Sequence, residues 1–528
     1  MRKLVVATGS FSLLFALLAL SAWAGVNGWD HVGNGGKAGT ASLDGSVYVL
    51  HADGTNLYVG GTFTHAGGVA ADHIAKWDGT AWSGFTGLNG DVHAIAFAGG
   101  KLFVGGVFTN AGGDGNADFL AVWNGSAWAP FCNATGPAFN GSVLALQVIG
   151  NTLYVGGAFQ NGAGIAAADY LLACDLTTGA SSSTVAHDGD FGGAVYALTA
   201  DNSGTLYAGG TFSDLAGNRA IDYVGAYHGG SWQAMGSGPS AGGGPTDGYV
   251  RALTSDGTNV YVGTDASSIG GVSGANHVAR WDGSWHAMGS NYFSTLTTIN
   301  ALAVSGPLVF AGGSFQNAGG DPLADQIAYW DGSAWHHLGS DGAGSGPYNR
   351  ETAALATLGA RVFGGGTFTN AGGDTLATGI AQSPIRQPDA YILALGGTAG
   401  VAGTGIYSAT ASGESKSLTV ARGKKGTFYL KFKNDGLVSD SYLLHATGSA
   451  RGYSTTYTTV AGSSVTSQIK AGTYTTGALL PGGILTVRLV VNVAKSAGNS
   501  ASFLIKATQN GVPADAVKAI VKAKGRRG

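Results

Sequence analysis

The sequence predicts an all-β chain, with a ring of seven four-stranded sheets (a β-propeller) followed by a smaller β-sandwich. Three observations predict it. The segment Leu57-Tyr58-Val59-Gly60-Gly61-Thr62-Phe63 returns from Leu102, Leu153, Leu206, Val260, Val309 and Val362, at spacings of 45, 51, 53, 54, 49 and 53 residues. Each period carries four short strand-like runs punctuated by glycine turns. After Pro388 the period stops, and residues 389–528 contain no Trp. A lone four-stranded unit cannot bury both faces, so repeats of this length stack. Stacking them radially also shields most strand edges.

Taken in order, residues 1–24 read as a signal peptide: Arg2 and Lys3, an apolar centre from Leu13 to Leu20, then Ala22-Trp23-Ala24 as cleavage site. No later run approaches the ~20 apolar residues that span a bilayer. Gly28-Trp29-Asp30-His31-Val32-Gly33 matches Ala334-Trp335-His336-His337-Leu338-Gly339, so it is a fourth strand without three before it. The seventh unit ends at Ile380-Ala381-Gln382-Ser383 without a fourth strand. The N-terminal strand is therefore expected to complete the last sheet, closing the ring and covering an edge.

Within a unit, an apolar run such as Val92–Phe97 turns through glycine into Leu-Tyr-Val-Gly-Gly. An Ala-Gly-Gly loop follows, then Ile74-Ala75-Lys76-Trp77, and Asp78-Gly79 turns the chain into a strand bearing Trp82. Asp-Gly between strands is a strong hairpin signal because its turn needs positive φ. Two units depart. The third has Cys174 where others have Trp77, Trp123, Trp281 or Trp330, and the fifth replaces Gly-Gly-x-Phe with Gly263-Thr264-Asp265-Ala266. Residues 25–388 form the propeller and 389–528 the sandwich, whose alternating runs include Thr427–Phe432, Ser441–Leu444, Ile484–Val493 and Ala501–Ile505.

The repeat resembles the kelch type in the double glycine ending its second strand and the aromatics after it. It is also similar to repeats of fungal Rax2-like surface proteins and to the central propeller domain of galactose oxidase-like proteins. Asn434-Asp435-Gly436, Asp440-Ser441-Tyr442 and Leu480-Pro481-Gly482-Gly483 resemble bacterial Ig-like modules of secreted proteins. The galactose oxidase resemblance would imply a copper centre of two Tyr, two His and a Cys–Tyr crosslink. His93 lies in a suitable place, but neither Cys matches that constellation. Sialidase-like propellers repeat a different box, and paired carboxylates for glycoside hydrolysis are missing from the channel register.

Charge separates the two parts. Residues 25–388 hold 9 Lys+Arg against 25 Asp+Glu, and residues 389–528 hold 16 against 5. The basic cluster Lys424, Lys425, Lys431, Lys433, Lys518, Lys522, Lys524, Arg526 and Arg527 suits an anionic polymer of the envelope or matrix. Nucleic acid is not expected, since no binding motif for it is present.

Candidate sites follow from the repeat. First strands line the channel of a propeller, and one register position carries Tyr48, His93, Leu144, Tyr196, Arg251, Asn300 and Ala353. Tyr48, His93, Tyr196, Arg251 and Asn300 are the ligand-binding candidates, because sites combine concavity with a few convergent polar groups. Loops 34–45, 129–141, 180–193, 233–248 and 338–350 would emerge on the same face. The recurring Asp72, Asp118, Asp169, Asp222 and Asp325 read as loop-holding residues, replaced by Asn276 and Thr378 elsewhere. Asp114, Asp321 and Asp374 are weak calcium candidates; no catalytic residue and no cofactor besides calcium is expected. Asn124, Asn133 and Asn140 read as incidental turn sequence. Cys132 and Cys174 are expected to stay unpaired, at opposite ends of their strands, since bridging needs Cα atoms within about 7 Å.

The expectation is a secreted, bacterial, non-enzymatic binding protein of the cell surface or extracellular matrix. Its propeller would hold a glycan or protein ligand, and its basic sandwich would tether it to an anionic surface. The alternatives are a carbohydrate-active lyase or oxidase at the channel mouth, and an architectural envelope protein.

Overall fold

The computed structural model describes residues 29–33, 40–132, 139–185, 190–239, 243–289, 293, 297–385, 388–395, 402, 411, 413–448, 450–509 and 512–525. The expected signal peptide, and stretches of four of the five long loops, lie outside them. The chain forms two compact units that part at Ile385 and Arg386.

The first unit holds seven four-stranded antiparallel sheets among the described residues, resembling a multi-bladed β-propeller. Sheet one runs Val47–Ala52, Leu57–Gly61, Ile74–Trp77 and Trp82–Gly84, paired in that order. The first strands of sheets two to seven are Val92–Ala98, Val143–Ile149, Val195–Ala200, Val250–Ser255, Ile299–Ser305 and Thr352–Leu358. Each packs against the first strand of the next sheet, and that of sheet seven packs against that of sheet one. Asp30–His31 supplies the fourth strand of sheet seven, with Asp30 opposite Gln382 and His31 opposite Ala381.

The paired glycines have two separate tasks. A Cβ on Gly60 would collide with Val92 of the next sheet, and one on Gly365 would collide with Val47, so the first glycine admits a neighbouring strand. A Cβ on Gly61 would meet the Ser46 carbonyl of its own sheet. The first position admits a side chain of the neighbouring sheet and the second a main-chain carbonyl, while sheet five carries Thr264 at the second position.

Neighbouring sheets are also joined near their outer edges. The indole N–H of Trp82 donates to Val32 O at 2.8 Å, and that of Trp128 to Thr86 O at 3.0 Å. Trp232 donates to Val185 O at 2.8 Å and Trp335 to Met288 O at 2.9 Å. Trp285 reaches Met235 O, and Trp29 reaches Leu338 O. Each bond runs from a fourth-strand Trp to the segment leaving the preceding sheet's fourth strand.

The junction between sheets two and three differs, and it corrects the expectation for the cysteines. Cys132 and Cys174 form a disulfide with Cα atoms 5.5 Å apart. The expectation placed both residues by height along their strands and overlooked how the segment leaving a fourth strand crosses to the next sheet. Gly33, Gly236 and Gly289, four residues after their Trp, lie against the third-strand Trp of the following sheet. Cys132 holds this position after Trp128, with the same positive φ (67°), and Cys174 replaces the facing Trp. Sheet three also lacks the fourth-strand Trp, since Ser181 stands opposite Cys174. Without either indole, the two backbones can come close enough to bridge.

The second unit packs two sheets over one apolar core. Pro388–Ala394, Lys425–Asn434, Ile484–Val493 and Tyr453–Thr459 form one. Ser415–Ala421, Val512–Lys524, Ser500–Gln509, Leu443–Thr447 and Tyr474–Thr475 form the other, whose first pair is parallel. Lys425–Asn434 alternates buried and partly exposed residues, sending Phe428, Leu430 and Phe432 inward to meet Leu489, Val491, Phe503 and Ile505. Buried Asn434 ties the loops together, with its amide donating to Val438 O and Leu479 O and its oxygen accepting from Tyr442 Oη at 2.8 Å. Among the described residues no helix is long and apolar enough to cross a membrane.

Candidate binding site at the channel mouth

Each first strand of the first unit carries one residue too many for its partner. Register shifts fall between Val47 and Val49, Val92 and Ala94, Val143 and Ala145, and Val195 and Ala197. The same shift falls between Val250 and Ala252, Ile299 and Ala301, and Thr352 and Ala354. The extra residue of such a bulge is left unpaired and its side chain re-aimed. These residues are Tyr48, His93, Leu144, Tyr196, Arg251, Asn300 and Ala353, and all of them line one pocket of about 230 Å3. The structure thus brings the five predicted binding residues together with Leu144 and Ala353.

Inside the pocket the polar groups form two clusters. Tyr48 and His93 stack with ring centroids 4.9 Å apart and planes 3° from parallel. Burial holds the His93 imidazole below its usual pKa, against the pull of Asp91, so it is neutral at pH 7. Burial, with Asp91 and Glu351, raises the Tyr48 phenol. On sheets four and five, the Arg251 guanidinium lies 6.0 Å from the Tyr196 ring centroid and 3.5 Å from Asp265 Oδ2. Arg251 Nε is buried without a hydrogen-bond acceptor.

The irregular fifth unit proves to be the support of Arg251. Asp265 faces the guanidinium and accepts the Tyr249 amide at 2.7 Å. Thr264, replacing the second glycine, donates its hydroxyl to Tyr249 O at 2.6 Å. Sequence reasoning registered only a lost aromatic, because the bulge that makes residues 251 and 265 neighbours is a property of pairing. Tyr, His, Arg and Asn side chains around one cavity can hydrogen-bond and stack on a polar ligand, and none of the lining residues is a carboxylate.

The other predicted residues lie elsewhere. Asp118, Asp169, Asp222 and Asp325 accept the amides of Asn110, Asn161, Asp214 and Asn317 at 2.7–2.9 Å, holding those residues at positive φ before the loop. Asp72 instead accepts the Gly87 amide at 2.8 Å. Of the three calcium candidates, Asp114 caps its own turn through the Asn116 amide. Asp321 binds His337 Nδ1 at 2.6 Å and Asp374 binds His31 Nδ1 at 2.7 Å. Asp30, with Asp374, pushes the His31 imidazole up to about 9 against the opposing effect of burial. Asp30, His31 and Asp374 each bring one potential ligand atom within 4.8 Å of the others.

In the second unit, Lys424 and Lys425 are exposed and border a pocket of about 410 Å3 with Tyr453, Ser454 and Asn492. Lys522 and Lys524 are exposed as well. Arg422 is not available in the same way, because its guanidinium donates to the carbonyls of Ala497 and Gly525. Arg526 and Arg527 lie outside the described residues.

No family model matches the chain, and no curated protein matches it. Among solved structures it is similar to YCF48 bound to D1 peptide, at 12% identity and a TM-score of 0.40, over 68% of this chain and 95% of that one. Domains 4 and 5 of the S-layer protein SbsC match at 19% identity and a TM-score of 0.14, over 21% of this chain and 49% of theirs. The secreted serine protease VesC from Vibrio cholerae matches at 16% identity and a TM-score of 0.14, over 20% and 21%. At such scores these likenesses do not define the fold, which rests on the strand pairing above.

Proposed function

We propose that the chain is a secreted, non-enzymatic binding protein: a seven-bladed kelch-like propeller that takes a glycan or protein ligand at its channel mouth. An Ig-like sandwich then tethers it to an anionic surface of the cell or matrix. One observation carries this reading: seven bulges aim seven side chains, five of them polar or aromatic, into one open pocket. Packing alone does not call for a stacked Tyr48–His93 pair and a guanidinium with an unused buried N–H. The disulfide favours export, since cytosolic thiols stay reduced. The exposed Lys424 and Lys425, at a pocket edge, favour the tether.

The test is a glycan array and polysaccharide pull-down with the full chain, in calcium and in EDTA. Binding that falls at least about tenfold in Arg251→Ala or His93→Ala, with melting unchanged, is the expected result. Binding untouched by both substitutions would remove the ligand from the channel. Retention on anionic polysaccharide that survives 0.5 M salt (roughly a 4 Å screening length) or survives Lys424→Ala/Lys425→Ala would remove the tether.

A further inference from the structure

The strand that closes the ring carries one acid more than the repeat calls for. Asp30–His31 is only two residues long, and its register sets it against Gln382 and Ala381. Sheet six shows what the repeat itself provides at this place. His337 stands where sheet seven has His31, and its Nδ1 and main-chain N–H both meet Asp321 Oδ2, at 2.6 and 3.2 Å. His31 meets Asp374 Oδ2 in the same way, at 2.7 and 3.2 Å. The other oxygen of each aspartate accepts a leucine amide, from Leu323 at 3.0 Å and from Leu376 at 2.9 Å. The His–Asp pair is thus a shared part of both sheets.

Asp30 is the departure. Sheet six has His336 in its place, which turns away to Asp331 at 2.9 Å. In sheet seven Asp30 Oδ1 lies 3.1 Å from His31 Nδ1, so two carboxylates converge on one ring nitrogen. One ring proton serves both acids, where sheet six matches one to one. The three side chains are between 18% and 22% exposed. Their ligand atoms all lie within 4.8 Å of one another, and no other such group of His, Cys, Asp or Glu occurs among the described residues. Arg361 also bears on the Asp30 charge. A guanidinium has no lone pair to offer a metal, so it competes with a cation for Asp30 alone.

We propose that Asp30, His31 and Asp374 bind one zinc ion, which fastens the closing strand to sheet seven. One imidazole nitrogen with two carboxylate oxygens is a donor set that zinc accepts, at roughly 2.0–2.2 Å from each. Donors around a tetrahedral zinc then stand about 3.3 Å apart. The observed 2.7 and 3.1 Å need to open only slightly to reach that spacing. Calcium and magnesium take oxygen donors, and calcium takes six to eight of them, so an imidazole site suits neither. The ion takes the place of the ring proton, and the His31–Asp374 pair is the metal-free form. Zinc here would join residues 343 positions apart, across a strand that is otherwise two residues long.

The untagged full chain, stripped with EDTA and dialysed, is titrated with zinc chloride by calorimetry. Both cysteines are in the disulfide, so no thiol competes for the metal. The expected result is a one-site isotherm, with a rise of about 4 °C in the Trp-detected melting of the first unit at a hundredfold excess over Kd. Asp30→Asn keeps the His31–Asp374 pair, weakens zinc at least about tenfold and removes the rise. Asp321→Asn, at the matching pair of sheet six, leaves the titration unchanged. A wild-type chain that takes no zinc overturns the proposal, as does an isotherm unchanged in Asp30→Asn or lost in Asp321→Asn. A rise produced by calcium chloride and not by zinc overturns it too. Should Asp30→Asn not fold, His31→Gln takes its place with the same outcomes.

Discussion

Six junctions in the ring of sheets are made by an indole and a carbonyl, and one is made by a disulfide. The comparison separates the position from the chemistry that fills it. At three of the common junctions a glycine (Gly33, Gly236 or Gly289) leaves the fourth strand at positive φ and lies against the third-strand Trp of the next sheet. At the junction of sheets two and three the backbone path is kept while both Trp residues are lost, and a covalent bond takes over the contact. Large rings and one short bridge are alternative fillings of the same gap.

The largest effect is expected from opening the bridge. Cys132→Ser/Cys174→Ser, closing no loop across the 42-residue separation, should lower the stability of the first unit by about 2–4 kcal/mol. Trp fluorescence reads this cleanly, since residues 389–528 contain no Trp. A double variant that melts like the wild type would show that the bridge adds nothing to the junction. Next comes an indole junction: Trp335→Phe leaves the Met288 carbonyl without its donor and should cost about 1–3 kcal/mol in urea unfolding.

Exchanging the two solutions sharpens the comparison further. Cys132→Gly with Cys174→Trp installs the residue pair of three other junctions (Gly33–Trp77, Gly236–Trp281 and Gly289–Trp330) and should lie within about 1–2 kcal/mol of wild type, the misfit coming from Phe131 packed on Phe103 nearby. It should also lose all sensitivity to reductant. A loss as large as that of the serine pair would mean the position is not interchangeable.

The smallest effect concerns ring closure by His31. Its folded pKa, about 9, exceeds the ordinary 6.5, so the imidazolium favours the native state fully below pH 6.5. That contribution fades as pH rises towards 9. Melting of the first unit should therefore decline slightly over this window, and Asp374→Asn should flatten the decline. A profile unchanged by that substitution would detach His31 from closure.

Much of this was legible in the chain. The period near 50 residues, the Gly-Gly pair and the Asp-Gly hairpins announce repeated four-stranded sheets because each is a local backbone demand. The orphan strand Asp30–His31 could be matched to Ile380–Pro384 because the repeat tells what is missing. The channel residues could be named by register, but the reason they converge could not. A bulge is a count of two residues against one, and only the paired strand supplies the count.

The sequence by itself determined the sheets, their order and the closing strand, since these follow from periodicity, turn chemistry and alternation along the chain. Tertiary structure alone decided that Cys132 meets Cys174, that Asp265 stands by Arg251, and that Asp374 reaches His31. Those partners lie 42, 14 and 343 residues apart and belong to different strands or loops. Their meeting depends on how neighbouring backbones pack, which no local pattern encodes.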